Sequence, residues 1–383
     1  MSIDHIPDGL LVGRAWIGGF DHPRIVTVRE GKLVDITARG MASVRDVAES
    51  RRAAQHVRNA PGRIVGDIDA VLANALAGNA RDDLPRLLVP IDLQAIKASG
   101  VTFVVSLLER VIEEQARGDK SRADALRSEI LELIGTDLSQ LVPGSDAAMK
   151  VKTALIEKGV WSQYLEVGIG PDAEIFTKGQ PMSAVGHGAE VGLHPSSSWN
   201  NPEPEVALLV TSTGEIIGAT LGNDVNLRDI EGRSALLLGK AKDNNASASL
   251  GPFVRLFDED FTLETVKQAE ISLRVVGDDG FVLEGHSNMA EISRSPESLV
   301  AATIGAHHQY PDGLVLYLGT MFAPVQDRDG VGKGFTHKVG DMVSISTPSL
   351  GTLSNRVNLS TKCAPWTYGA SHLLRDLARA NLL

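Results

Sequence analysis

Asn200-Asn201-Pro202-Glu203-Pro204-Glu205-Val206-Ala207-Leu208-Leu209-Val210, followed by Gly222-Asn223-Asp224-Val225-Asn226, is the part of the sequence from which the fold and the chemistry can be read outward. The apolar run after Glu205 is bounded by turn residues and reads as a buried strand. Residues i and i+2 of a strand point to one face, so Glu203 and Glu205 converge. Ser212-Thr213-Gly214 reads as a hairpin turn in which Gly214 supplies a positive φ. A strand beginning near Glu215 then returns antiparallel and brings Asp224 to the same point. A lone Glu-x-Glu more often flanks a surface strand; the Gly-Asn-Asp that follows the hairpin argues for convergence instead. Three unpaired carboxylates would repel one another and take up protons, so the pattern predicts a bound cation. Oxygen-only ligation favours a hard ion, Mg²⁺ or Mn²⁺, over zinc. Three protein ligands leave positions for water and for a chelating substrate such as a 2-oxo acid, whose C3 protons the metal would acidify.

The bulk properties narrow the partners. The 383 residues suggest two domains, or one large domain with an N-terminal elaboration. At 43% hydrophobic, with 38 Gly and 17 Pro, the chain can bury a sizeable core. A formal charge of −11 argues against a nucleic-acid partner. Cys363 is the single cysteine, which excludes an intramolecular disulfide and a thiolate metal cluster. No apolar run approaches the roughly 20 residues of a membrane span. Met1 to Asp8 has neither a basic start nor a signal-length apolar stretch. A cytoplasmic protein is expected.

Along the chain, short strands are expected from about Leu10 to Ile36, and mostly helix from Met41 to Gln140. The helices fall near 44–57, 67–77, 103–116 and 118–134, with another at 145–158. After Gly159 short β-rich runs alternate with turn signals, at 174–176, 205–211, 216–220, 270–276, 281–285, 314–318, 342–346 and 353–358. Asp278-Asp279-Gly280 marks a second hairpin. Helical pieces are expected at 263–269, 296–304 and 370–379. The fold class is α+β, with a largely helical, mixed N-terminal domain over residues 1–159 and a mostly β C-terminal domain over 160–383.

Other motifs carry less. Lys240-Ala241-Lys242-Asp243-Asn244-Asn245 is polar, and a lysine beside a carboxylate site can balance charge or move a proton. Arg228-Asp229 reads as a buried ion pair beside the site. His307-His308 diverge on an extended segment and read as substrate contact or loop packing. Gly330-Val331-Gly332-Lys333-Gly334 lacks the Walker spacing, and Gly168-Ile169-Gly170 does not extend to a dinucleotide fingerprint. No nucleotide cofactor is inferred.

Phe176-Thr177-Lys178, Pro202-Glu203-Pro204-Glu205, Gly222 to Asp229, Lys242 before Gly251-Pro252, Gly319-Thr320, Gly340-Asp341 and Gly351 to Asn355 together resemble the fumarylacetoacetate hydrolase superfamily. The resemblance implies a mixed β-roll catalytic domain and a divalent metal on Glu203, Glu205 and Asp224. It also implies substrate contacts from Lys178, Lys242 and Thr320, and a homodimer or homotetramer. Where that family carries a His-x-x-Glu dyad, this chain has Ser106-Leu107-Leu108-Glu109. The missing His argues against hydrolysis and leaves Glu109 as an acid/base, with Ser106 on the same helix face.

Trp161 to Glu166, Lys242 to Asn245 and His308 to Gly313 resemble one branch of the superfamily, the 2-keto-3-deoxy-pentonate dehydratases. That branch implies metal-dependent dehydration of a xylonate- or arabinonate-derived 2-keto-3-deoxy acid to 2,5-dioxopentanoate through a metal-held enolate. Glu109, Lys242 and Glu166 are then the acid/base candidates. Asn244, Asn245, Gln309 and Thr320 are expected to hold the substrate's hydroxyls and carboxylate. The alternatives are an acylpyruvate hydrolase or oxaloacetate decarboxylase using the same metal, and a non-catalytic 2-oxo acid binding protein.

Overall fold

The computed structural model describes residues 6–77, 80–103, 107, 141–157, 159, 161–322, 324, 326–330 and 333–383. Within them the first half of the chain supplies β1 (Leu11–Trp16), β2 (Arg24–Arg29), β3 (Lys32–Asp35), β4 (Arg63–Asp67), β5 (Arg86–Leu88) and β6 (Ala95–Gly100). Next come β7 (Glu174–Gly179), β8 (Glu190–Leu193), β9 (Pro204–Val210), β10 (Ile216–Asp224) and β11 (Ala248–Leu256). The chain ends with β12 (Glu270–Val276), β13 (Val282–Asn288), β14 (Leu314–Tyr317), β15 (Met342–Thr347) and β16 (Gly351–Leu359). One sheet runs β4-β3-β2-β1-β11-β10-β9-β14-β6-β7, with β5 beside β1. A smaller sheet runs β13-β12-β15-β16-β8.

β9 lies within the large sheet and is buried on both faces, which is why its sequence is a near-continuous apolar run. Val206, Leu208 and Val210 pack into the core shared with the small sheet, alongside Val343, Ile345 and Leu353. Ala207 and Leu209 point the other way, into a second core with Val44, Val47, Val57 and Tyr317. The predicted hairpin is present: Gly214 has φ +86°, and the Thr211 N–H donates to the Glu215 carbonyl at 2.9 Å.

The large sheet coils on itself. Four strand steps separate β7 from β10, about 19 Å if the sheet were flat. Yet Lys178 Nζ on β7 lies 2.7 Å from Asp224 Oδ1 on β10. Val185, just after β7, also forms a parallel bridge to Ser249 on β11. The sheet therefore closes into a roll, as expected for the C-terminal half.

The expectation of mostly helix from Met41 to Gln140 is corrected for the described residues, because β4, β5 and β6 lie inside it. β6 is a strand because it is inserted between β14 and β7, where its neighbours satisfy its backbone on both sides. The single helix expected over 44–57 is two, Val44–Glu49 and Ala53–Asn59. Asp92 Oδ2 accepts from the Val44 N–H at 2.6 Å. Glu49 accepts from Ser212 N–H at 2.7 Å and Ser212 Oγ at 2.6 Å, which ties the end of the first helix to the β9–β10 hairpin. The helices at Ile68–Leu76, Asp146–Glu157, Pro296–Thr303 and Ala370–Arg379 fall where the periodicity placed them. β1 pairs with β11 and β6 with β14, so the sheet's hydrogen bonds join the two sequence units proposed on either side of 159/160.

His187, in the loop before β8, gives the fold a pH-sensitive joint. Its Nδ1 accepts from the Ser354 N–H at 3.2 Å, and burial pushes the imidazole down to about 4. The unfolded imidazole binds its proton near pH 6.5, so folding opposes protonation. This contribution is intact above pH 6.5 and is lost as pH falls towards about 4. The shift is worth on the order of 3 kcal/mol. Urea midpoints should fall over that window. In His187→Gln, which keeps an acceptor for Ser354, the fall should be shallower; an unchanged slope would remove His187 from the acid response.

Candidate metal centre

The three carboxylates converge as the strand pattern requires. Gly222 on β10 stands opposite Glu205 on β9, and the Asp224 N–H donates to the Glu203 carbonyl at 3.0 Å. One oxygen from each of Glu203, Glu205 and Asp224 lies within 4.8 Å of the others, and all three side chains are buried. The strand ends beyond them are held in register by reciprocal 3.1 Å hydrogen bonds between Asn201 and Asn226.

Two lysines reach the cluster from different elements. Lys242, the last residue of the short helix Leu238–Lys242, places Nζ 2.5 Å from Glu203 Oε2 and 3.4 Å from Asp224 Oδ2. Its ammonium also lies 5.6 Å from the centre of the Phe176 ring, a cation–π arrangement. Lys178, fully buried on β7, pairs with Asp224 and donates to the carbonyls of Val225 and Lys242 and to Ser247 Oγ. Burial lowers its affinity for the proton, and the neighbouring Asp224 carboxylate works in the opposite direction.

Glu205 is different. Its Oε2 accepts from the Gly319 N–H at 2.7 Å, and among the described residues no cationic nitrogen lies within ion-pair distance of it. Burial, reinforced by the Asp224 and Glu203 charges, raises its pKa well above the ordinary glutamate value. Two ammonium groups thus face three carboxylates in a site shielded from water. A divalent cation fits this donor set: the ligands are hard oxygens, they are already gathered, and the added charge would relieve the repulsion at Glu205.

Other expected residues scatter. Thr320 is buried beside Gly319, with Oγ1 donating to the Phe322 carbonyl at 3.2 Å. Asn244 Nδ2 donates to the Lys240 carbonyl at 2.8 Å. Asn245 Nδ2 binds the carbonyls of Ser360 and Ala364, tying this loop to the C-terminal segment. Gln309 closes its own turn on the carbonyls of Gly305 and Ala306. It precedes Leu314, which pairs with Val210, so it belongs to the end of β9 remote from Glu205. Glu166, on the helix Gln163–Ile169, is ion-paired with Lys152 at 2.5 Å. Ser106 and Glu109 lie outside the described residues. Arg228 stacks over Trp199 at 4.5 Å, while Asp229 accepts from Ser197 Oγ and the Ser198 N–H.

Sequence reasoning assigned no role to Asn223 and Asn226. Asn226 Nδ2 donates to Glu203 Oε1 at 3.0 Å, and Asn223 Oδ1 accepts from the Glu203 N–H at 3.2 Å. Among the described residues Asn223 Nδ2 and Asn226 Oδ1 are buried without a hydrogen-bond partner, and Asn226, on the strand face of Asp224, is free to meet a bound polar group. Asn226 stands two residues after Asp224, a spacing that was a usable signal. Tyr317 gave none: its hydroxyl donates to the Ser249 carbonyl at 2.7 Å beneath the site.

Comparisons with known proteins bear on the family and the fold. Residues 159–358, just over half of the chain, match the fumarylacetoacetate (FAA) hydrolase C-terminal family. A Haloferax volcanii protein named probable 2-keto-3-deoxyxylonate dehydratase is 28% identical over 337 residues, covering 87% of this chain and 95% of its own. The 2-dehydro-3-deoxy-D-arabinonate dehydratase of Saccharolobus solfataricus is 32% identical over 189 residues, 49% of this chain and 60% of its own length. Among solved structures, a 2-keto-3-deoxy-D-arabinonate dehydratase in apo form superposes with a TM-score of 0.64 at 22% identity, covering 91% of this chain and 99% of that one. A 2-keto-3-deoxy-D-arabinonate dehydratase complexed with magnesium and 2,5-dioxopentanoate gives 0.63 at 22% identity, over 91% and 99% of the two chains. At that identity the superpositions speak to the fold alone. With the roll, the gathered carboxylates and the matched segment coinciding, the chain belongs to the fumarylacetoacetate hydrolase family.

Proposed function

We propose that this chain is a metal-dependent hydro-lyase that converts a 2-keto-3-deoxy-pentonate to 2,5-dioxopentanoate and water. The observation that carries the proposal is the buried Glu203–Glu205–Asp224 cluster, in a chain that aligns over most of its length with a relative named as such a dehydratase. When bound there, Mg²⁺, with Mn²⁺ as a substitute, would act as a Lewis acid on the 2-oxo group and stabilise the charge left by loss of a C3 proton.

The chain's own groups then divide the proton transfers. Glu109 is the proposed base at C3. Lys242, whose ammonium is held by Glu203 and Asp224, is the proposed donor to the departing C4 hydroxyl. Loss of the C3 proton and of the C4–O bond forms the C3=C4 double bond and releases water. Loss of a C5 proton and return of one to C3 then gives a C4=C5 enol, and protonation at C4 with loss of the hydroxyl proton gives the C5 aldehyde. Thr320 and the unpartnered amide oxygen of Asn226 are the proposed hydrogen-bonding partners of the substrate. Lys178 acts on the site through Asp224. Glu166, engaged with Lys152, is the weaker acid/base candidate. Assembly as a dimer or tetramer belongs to the same proposal.

NMR of the protein with Mg²⁺ and 2-keto-3-deoxy-D-xylonate, against an EDTA control, tests it. An aldehyde signal that requires metal is expected. Pyruvate with glycolaldehyde would mean carbon–carbon cleavage and overturn the dehydratase reading.

A further inference from the structure

Thr102, at the end of β6, is fully buried and its hydroxyl donates to the Leu318 carbonyl at 2.5 Å. The amide that carries this carbonyl also carries the Gly319 N–H, which donates to Glu205 Oε2 at 2.7 Å. One peptide group is thus hydrogen-bonded at both ends, with Thr102 on its oxygen and the carboxylate on its nitrogen. Donation to an amide oxygen polarises the amide and strengthens its N–H as a donor.

Thr102 is itself held. Its carbonyl accepts from the Ser293 N–H at 2.8 Å and from Ser293 Oγ at 2.9 Å. The segment it contacts is laid along β9, with Leu318 N–H on the Val206 carbonyl at 3.0 Å and Met321 N–H on the Pro204 carbonyl at 3.2 Å. Position 319 admits only glycine here: φ is +100°, and a Cβ would run into Thr102 Oγ1. The close approach of the hydroxyl and the missing side chain are two halves of one arrangement.

We infer that Thr102 is a positioning residue for Glu205, acting through the peptide that joins Leu318 and Gly319. Glu205 is the carboxylate of the cluster without a lysine, so this N–H is what orients it before a cation arrives. The inference rests on the metal reading of the site. A group that orients a ligand typically changes metal affinity by about 10- to 100-fold.

The test is calorimetric titration of the free, full-length protein with Mg²⁺, alongside thermal unfolding without metal. Thr102→Val, which keeps the shape and removes the donor, should weaken Mg²⁺ binding by about 10- to 100-fold, and Thr102→Ser should return it to within about threefold. If the valine variant does not fold, Thr102→Ala is read in the same way. Unchanged Mg²⁺ affinity in a folded valine or alanine variant would overturn the inference, even if metal-free stability had dropped. A serine variant as weak as the valine variant would overturn it too. If wild-type protein took up no Mg²⁺, the metal reading would fall and this inference with it.

Discussion

Glu205→Gln is expected to abolish turnover while leaving the metal-free protein at least as stable as wild type. The two halves of this result have one cause. Glu205 is buried, repelled by Asp224 and Glu203, and lacks an ammonium partner among the described residues. Glutamine keeps an oxygen for the Gly319 N–H and removes the repelled charge, so the metal-free protein loses a source of repulsion. The same change takes one charge from the cation's ligand set. A bound metal contributes several kcal/mol to such a reaction, and each ~1.4 kcal/mol is a factor of ten. A loss of activity on the order of 10³-fold is expected, together with loss of the Mg²⁺-dependent rise in unfolding temperature. Thermal unfolding with and without Mg²⁺, and steady-state turnover, measure both. Turnover close to wild type would remove Glu205 from the ligand set.

Lys178→Met should behave in the opposite way. Lys178 Nζ lies 2.7 Å from Asp224 Oδ1 and also serves two carbonyls and a serine hydroxyl, all buried. Methionine fills much of the volume and leaves those acceptors and the carboxylate without their cation. Breaking a buried pair from one side costs about 3–5 kcal/mol. Urea denaturation of the metal-free variant should show that loss. Added Mg²⁺ should recover more stability than it adds to wild type, because a cation supplies the missing positive charge. A loss below about 1 kcal/mol would mean that Lys178 is neutral in the folded protein, burial having outweighed its attraction to Asp224.

The legible part of this protein is local. Val206 to Val210 show their burial in composition, and Glu203 and Glu205 show their shared face by an interval of two. Ser212-Thr213-Gly214 shows the turn that carries Asp224 back, so the carboxylate cluster follows from strand geometry alone. The proton-transfer partners were harder to read. Glu166 is ion-paired with Lys152, and the substrate contact expected of Gln309 falls at the far end of β9, neither of which any spacing rule shows. β6 and β11 were hidden for a related reason. Ala95–Gly100 alternates over only Ile96 to Ser99, with an alanine as its second apolar residue, and β11 contains Gly251-Pro252. Each is a strand because flanking strands satisfy its backbone.

The sequence by itself determined that an acidic trio sits at the end of a buried hairpin, because strand period and turn chemistry act over a few residues. Only the tertiary structure decided which charges and dipoles meet that trio. Lys178 arrives from a strand four places away because the sheet coils, and Lys242 comes from a separate helix. The Gly319 amide is aimed at Glu205 by a threonine 217 positions earlier in the chain. Such contacts depend on sheet closure and side-chain reach, which are set by the packing of the whole chain.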